Sequence, residues 1–168
     1  MRDDPLDGLE SCHERIEERL ARLENFGAHL ATRGPDGIAK STARDVVRYF
    51  EGEGARHHAD EDGDLFPLLR ARAGALGRIE IAAAIDELER EHQTMDAQWT
   101  RLRERLAAIA AGEARLDAED VARFAWLYRR HMDREMAALH PFAREALEPA
   151  ELASLGERMA ARRNNKGR

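Results

Sequence analysis

The apolar positions of this chain fall into stripes of helical period. Leu9, Ile16, Leu20, Leu23 and Leu30 recur at spacings of three, four or seven, so they share one face of a helix that starts near Asp3, Asp4 and Pro5. The breaker cluster Arg33, Gly34, Pro35, Asp36 and Gly37 ends it. Ser41 or Thr42 is expected to cap a second helix that carries Val46, Val47, Phe50, His57, Glu61 and Leu65 and ends near Pro67. Gly74 and Gly77 mark a loop before a long third helix through Ile81, Ile85, Leu88, His92, Met95, Trp99, Leu102 and Leu106, closed by Gly112. Asp117 caps a fourth through Val121, Phe124, Leu127, His131, Glu135 and Leu139, ending near Pro141, and Pro149 opens a last short helix through Leu152, Leu155 and Met159.

Four main helices with short connections pack most simply as an up-down-up-down bundle. The expectation is an all-α protein, a four-helix bundle over residues 5–146 with a short additional C-terminal helix over 149–163, in one domain spanning 1–168. Composition agrees, being rich in Ala, Leu, Glu and Arg, and 168 residues suffice to bury a core without staples. The net charge of −6 is spread among interspersed acids and bases, which excludes the basic stripe of a nucleic-acid-binding face. A lone cysteine, Cys12, excludes an internal disulfide and any cysteine-rich zinc or iron–sulfur site, and reads as a small packed residue. The N-terminus has no apolar leader and no run is long enough to span a bilayer, so a cytoplasmic protein without membrane association, monomeric or homodimeric, is expected. The closing RRNNKGR reads as a frayed end.

What changes this picture is where the histidines fall. Five of the seven are followed four residues later by an acid: His13/Glu17, His57/Glu61, His58/Asp62, His92/Asp96 and His131/Glu135. With acids at about a fifth of positions, chance supplies about one or two such pairs. Residues four apart share a helix face, so each pair can aim an imidazole and a carboxylate at one point, and four converging faces make a metal site.

An internal repeat sharpens the register. Residues 47–67 match 121–141 at a constant offset, with Val47/Val121, Phe50/Phe124, Arg56/Arg130, His57/His131, Glu61/Glu135, Leu65/Leu139 and Pro67/Pro141 identical. His57 and Glu61 are therefore the inward pair, and His58 with Asp62, opposite Met132 and Met136 in the repeat, drops out. A fainter match joins helices one and three through His13/His92 and Glu17/Asp96, which suggests a metal pair about a pseudo-twofold axis. Gly52 and Gly54 stand where the repeat has Trp126 and Tyr128, and are expected to make room for bulky neighbours ahead of a ligand path.

A lone histidine in helix one, HHADEDGDLFP in helix two, Glu91–His92 in helix three and HMDRE in helix four together resemble the hemerythrin-like HHE cation-binding domain. LASLGERMAARR near the end resembles bacterial members. The resemblance covers nearly the whole chain. It implies two non-haem irons bridged by two carboxylates and a solvent-derived oxygen, with Glu61 and Glu135 bridging, His13 and His57 serving one iron, and His92 and His131 the other. It also implies a small diatomic ligand or peroxide, handled in oxygen, nitric oxide, iron or redox sensing, with binding expected ahead of catalysis and peroxide reduction the enzymatic alternative.

At one position the chain departs from the oxygen carriers, whose third helix supplies two histidines four apart. Here the second is Asp96, so Asp96 ligates, Glu91 does, or solvent fills the position. A carboxylate there would stabilise the oxidised pair and weaken the case for reversible oxygen carriage. Helix geometry places Ile16 and Tyr128 near the metals, Ile16 as a pocket wall and Tyr128 as a hydrogen-bond partner for a bound ligand; core packing serves as well for each. His29 reads as a surface residue and His140 as a packing one. Glu10-x-x-His13 and Glu89-x-x-His92 also fit the ferritin-like di-iron recipe, which leaves His57 and His131 without a role.

Overall fold

The structure is a computed structural model that describes residues 4–113 and 115–165. The described residues form five helices and no strand: α1, Pro5–Arg33; α2, Gly37–Ala75; α3, Ile79–Ala110; α4, Ala118–Ala146; and α5, Pro149–Asn164. The all-α expectation holds. α1 packs against α2, α4 and α5, and α3 packs against α2 and α4. Connections are three to seven residues long between the first four helices.

Caps fix most of the starts. Asp4 accepts from Leu6 N at 2.9 Å with Pro5 in the first turn, and Asp117 accepts from Glu119 N at 2.9 Å. α2 starts earlier than expected: Asp36, not Ser41 or Thr42, caps it, accepting from Ala39 N at 2.8 Å. The turn thus supplies its own cap, because Asp36 is extended and its carboxylate reaches the first free N–H groups. Asp3 lies outside the described residues.

Neither Pro67 nor Pro141 ends its helix. Each is preceded by one turn of wider, π-type helix, Glu61–Leu65 and Glu135–Leu139, in which the Phe66 and His140 N–H groups reach the carbonyls of Glu61 and Glu135 five residues back. A proline cannot donate to the preceding turn, and its ring presses on the carbonyl four residues back. Widening the turn removes that conflict, so α2 runs on to Ala75 and α4 to Ala146. A further π turn, Phe50–Gly54, occurs in α2 and has no counterpart in α4, where residues 124–128 are regular.

The apolar core is divided in two. One cluster gathers Ile16, Leu20, Leu23, Val46, Phe50, Met95, Leu102, Phe124 and Tyr128; the other gathers Leu6, Leu9, Leu65, Phe66, Leu69, Leu88, Leu139, Phe142, Leu155 and Met159. On every bundle helix the buried histidine falls at the boundary between them: His13 between Leu9 and Ile16, His57 between Phe50 and Leu65, His92 between Leu88 and Met95, His131 between Tyr128 and Leu139. A polar layer crosses the interior, and apolar packing on both sides holds it in place.

α5 closes the second cluster with Leu155 and Met159. Its arginines are ordered, which corrects the frayed-end expectation: Arg162 bonds Asp60 and, at 2.6 Å, Asp64, while Arg158 bonds Asp64 at 2.9 Å. Residues 166–168 of that tail lie outside the described residues. Among the described residues, no helix is long and apolar enough to cross a membrane.

Candidate metal centre

Two groups of four ligand atoms form in the polar layer. His13, His57, Glu61 and Glu135 make one, and Glu61, His92, His131 and Glu135 the other; within each group one ligand atom per residue lies within 4.8 Å of the rest. All six side chains are buried, and the two glutamates belong to both groups. The contacts are close: His57 Nε2 to Glu61 at 3.0 Å, His13 Nε2 to Glu135 at 3.1 Å, His131 Nε2 to Glu135 at 3.1 Å, and His92 Nε2 to Glu61 at 3.3 Å.

These distances do not amount to a hydrogen-bonded network. Both carboxylate oxygens of Glu61 and of Glu135, and the Nε2 atoms of His13 and His57, are buried without a partner of hydrogen-bonding geometry. Buried acceptors left this way are costly unless something else neutralises them. Each group has two imidazole nitrogens and two carboxylates converging on a common point, a donor set that fits a divalent or trivalent cation of the iron type. Two such positions sharing two acids fit a bridged pair.

The two halves differ behind the rings. His92 donates from Nδ1 to Asp62 at 2.8 Å, and His131 Nδ1 pairs with Glu91 at 3.1 Å; Arg134 in turn bonds Glu91 at 2.7 Å. With their Nδ1 protons so directed, the Nε2 atoms of His92 and His131 face one another at 2.9 Å. Their lone pairs need a proton or a cation between them. His13 and His57 instead have Nδ1 atoms buried without a hydrogen-bond partner. Beside His57 lie Cys12, Arg15, Arg56 and Arg163, with the carboxylates Glu53 and Asp60 that pair with Arg15 and Arg163, around a cavity of about 250 Å³.

Electrostatics follow this arrangement. Burial alone would lower the histidines, but Asp62 and Glu61 push His92 up to about 9, and Glu135, with Glu91, pushes His131 up to about 10. His13 and His57 are raised too, against burial, by Glu135 and Glu61. Burial would raise Glu61, yet His57, His13 and His92 hold it well below the usual carboxylate range. The layer therefore holds anionic carboxylates that take up protons on the histidines when no cation is present.

A sequence model described as the hemerythrin HHE cation binding domain matches residues 4–143. The chain belongs to the hemerythrin HHE family. An uncharacterized protein of Haemophilus influenzae is similar to it, 27% identical over 165 residues, which are 98% of this chain and 92% of that one. The family match covers all six residues of the two groups and stops before α5.

Among the residues singled out in this hemerythrin-family sequence, the structure brings together His13, His57, Glu61, His92, His131 and Glu135. Asp96 stands outside both groups: it is exposed, and burial at the cavity edge raises its pKa somewhat. α3 thus brings one residue, His92, into the groups. Glu91 supports His131 from behind. Ile16 is fully buried in the apolar cluster. Tyr128 is buried, and its ring lies 5.3 Å from that of His58, which in turn stacks 4.0 Å from His92.

His58 and Asp62 were set aside by the repeat, and neither enters the two groups, yet both lie against the layer. The π turn at Phe50–Gly54 inserts into α2 alone, so the turn that follows presents both His57 and His58 to the interior. The repeat could not register this, because an offset counts residues and not their rotation about the axis. Asp62, discarded with it, holds His92. Of the remaining expectations, Cys12 is half-buried and accepts from Arg15 at 3.0 Å, so it is not a packed apolar residue. His29 is half-buried on Asp36 at 2.9 Å, where it ties the end of α1 to the cap of α2. His140 is buried and paired with Glu10 at 3.1 Å, its ring 5.7 Å from His13. The ferritin-like recipe finds no support in the geometry: Glu10, held by Arg144 and His140, and Glu89, held by Arg70, both stand outside the two groups.

Proposed function

We propose that this protein holds two non-haem iron ions side by side, bridged by Glu61 and Glu135, with His13 and His57 on one and His92 and His131 on the other. It would handle a small diatomic ligand or peroxide, in oxygen, nitric oxide, iron or redox sensing. The observation that carries the reading is the pair of buried four-residue groups sharing both carboxylates. The cyclic order of helix neighbours and the short connections support an up-down-up-down bundle as the scaffold, and the single cysteine fits a cytoplasmic setting.

An iron pair supplies reversible electron exchange to a small oxygen- or nitrogen-based ligand. The chain's own residues prepare that chemistry. Glu61 and Glu135 offset the charge of two adjacent cations in an apolar interior. Asp62 and Glu91 fix which nitrogen of His92 and of His131 points inward and keep those rings from turning. The two apolar clusters exclude bulk water from both sides. Ile16 is proposed as an apolar wall, and Tyr128 to act through the intervening His58.

Metal analysis and the electronic spectrum of the purified protein test the reading. Two irons per chain with a bridged-pair spectrum are expected; protein grown with iron that carries no stoichiometric metal would sink it. Stoichiometric manganese or zinc would keep the centre and change the metal. Anaerobically reduced protein exposed to air then separates the roles, because a stable reversible spectrum means carriage and fast irreversible oxidation means sensing or turnover. Peroxide turnover lost on His57→Ala would establish an enzyme.

A further inference from the structure

Beside the second half of the centre lies a cavity of about 330 Å³ between α2, α3 and α4. It is far larger than a diatomic ligand requires, being roughly ten times the about 30 Å³ a water molecule occupies, and it falls within the size range of organic-ligand sites. Its walls are aromatic: Phe50 lies 5.0 Å from Trp99 and 5.4 Å from Phe124 between ring centres, and Phe124 lies 5.2 Å from Tyr128. Such interlocked rings make a stiff, apolar lining. Gly54 belongs to that wall within the extra π turn, where a Cβ would come within 3.2 Å of Phe50. The glycine and the widened turn together keep this space.

The charged groups of the lining, Glu51, Arg103 and Asp96, are all exposed residues at the rim. At the rim Arg103 bonds Glu51 at 3.2 Å, so those two charges offset one another. In the lining stands His58, the one imidazole among the lining residues. Its ring stacks on His92 at 4.0 Å, which sets the imidazole next to the centre.

We propose that this cavity binds a small, uncharged, largely apolar organic molecule with one oxygen-bearing head, the head hydrogen-bonded to the His58 imidazole and the body packed among Phe50, Trp99, Phe124 and Tyr128. The site exists in the protein fold itself, and only its adjacency to bound cations rests on the function proposed above. The ligand chemistry is an aryl or branched-alkyl alcohol or hydroperoxide, a class that diatomic handling does not require.

Trp99 reports directly on the cavity, and replacing exposed Trp126 by Phe leaves it the sole tryptophan. The test is titration of Trp126→Phe protein, iron-loaded and metal-free, with 2-phenylpropan-2-ol, isopropylbenzene and benzylamine. A saturable change in Trp99 fluorescence with the alcohol is expected in both forms. His58→Ala should weaken the alcohol about 5-fold to 10-fold and leave the hydrocarbon within about 2-fold. Ala55 and Thr100 are exposed on the rim, so Ala55→Phe and Thr100→Leu should block binding without disturbing the core. No saturable response in either form, or equal loss of alcohol and hydrocarbon on His58→Ala, would overturn the proposal. Tighter binding of benzylamine would overturn the uncharged assignment. Iron content measured on the same samples separates the two readings: alcohol binding by protein that takes up no iron removes the cation pair and keeps the cavity, whereas full iron loading with no response removes the cavity alone.

Discussion

The two halves of the candidate metal centre have the same inner donors and different surroundings. Each has two histidine nitrogens and the same two shared glutamates, yet His92 and His131 are backed by carboxylates while His13 and His57 have unpartnered Nδ1 atoms beside a cysteine and several arginines. A carboxylate behind a ligating histidine raises its basicity and favours the more highly charged cation; on the first half the carboxylates Glu53 and Asp60 pair with Arg15 and Arg163 instead. Similar sequence pairs therefore set up an asymmetric candidate centre, and under the proposed function the second half would be the tighter cation position. It is also the half that His58 and the aromatic cavity approach.

The largest effect should come from what the halves share. Glu61→Ala removes one ligand from both, and metal per chain should fall from two toward none, whereas His13→Ala should leave one; equal losses would mean that the positions do not fill independently. Next comes pH. In metal-free protein the folded-state values of about 9 for His92 and about 10 for His131 exceed the ordinary 6.5, so their stabilisation is fully present below pH 6.5 and is lost as pH rises through 9 to 10. The melting temperature of metal-free protein should drop on the order of 10 °C across that window, and that of the metal-loaded protein should not, because the cations replace those protons.

Asp62→Asn with Glu91→Gln addresses the asymmetry itself. Chelator competition should show the second position weakened by about 10-fold to 100-fold and the first unchanged, and the pH dependence of the metal-free protein should shrink. Uniform weakening of both would remove the distinction between the halves. The smallest effect concerns the cover on the first half. Arg162→Ala strips a partner from Asp60, which sits beside Glu61 and is already raised by burial, and should lower unfolding stability by about 1–2 kcal/mol in urea while metal stoichiometry is kept. Loss of one metal in that variant would show α5 to hold the ligands and not merely the fold.

The legible part of this molecule was that governed by local periodicity. Stripes such as Leu9, Ile16, Leu20 and Leu23 gave the helices, because a helix buries whichever face is apolar. His57 with Glu61 and His131 with Glu135 were legible because residues four apart share a face, whereas His13 and His92 meet the groups without their fourth neighbours Glu17 and Asp96. The repeat added register, and its shared Pro67 and Pro141 carried a signal that went unread: a proline inside a helix predicts a widened turn just before it.

What tertiary structure alone decided is how much each helix is rotated where it meets its neighbours. α2 carries a π turn at Phe50–Gly54, marked in the sequence only by two glycines, and another at Glu61–Leu65, and between and within them His58 stacks on His92 and Asp62 bonds it. Asp96 and Asp62 each stand four residues from a histidine, and the helix period cannot tell which acid meets His92 across the bundle. That choice belongs to interhelical packing, as does the clamp of Arg162 on Asp60, 102 residues away in the chain. The sequence determined the helices and the ligand types because those depend on spacings within one turn. The structure determined the asymmetry because it depends on contacts between turns far apart.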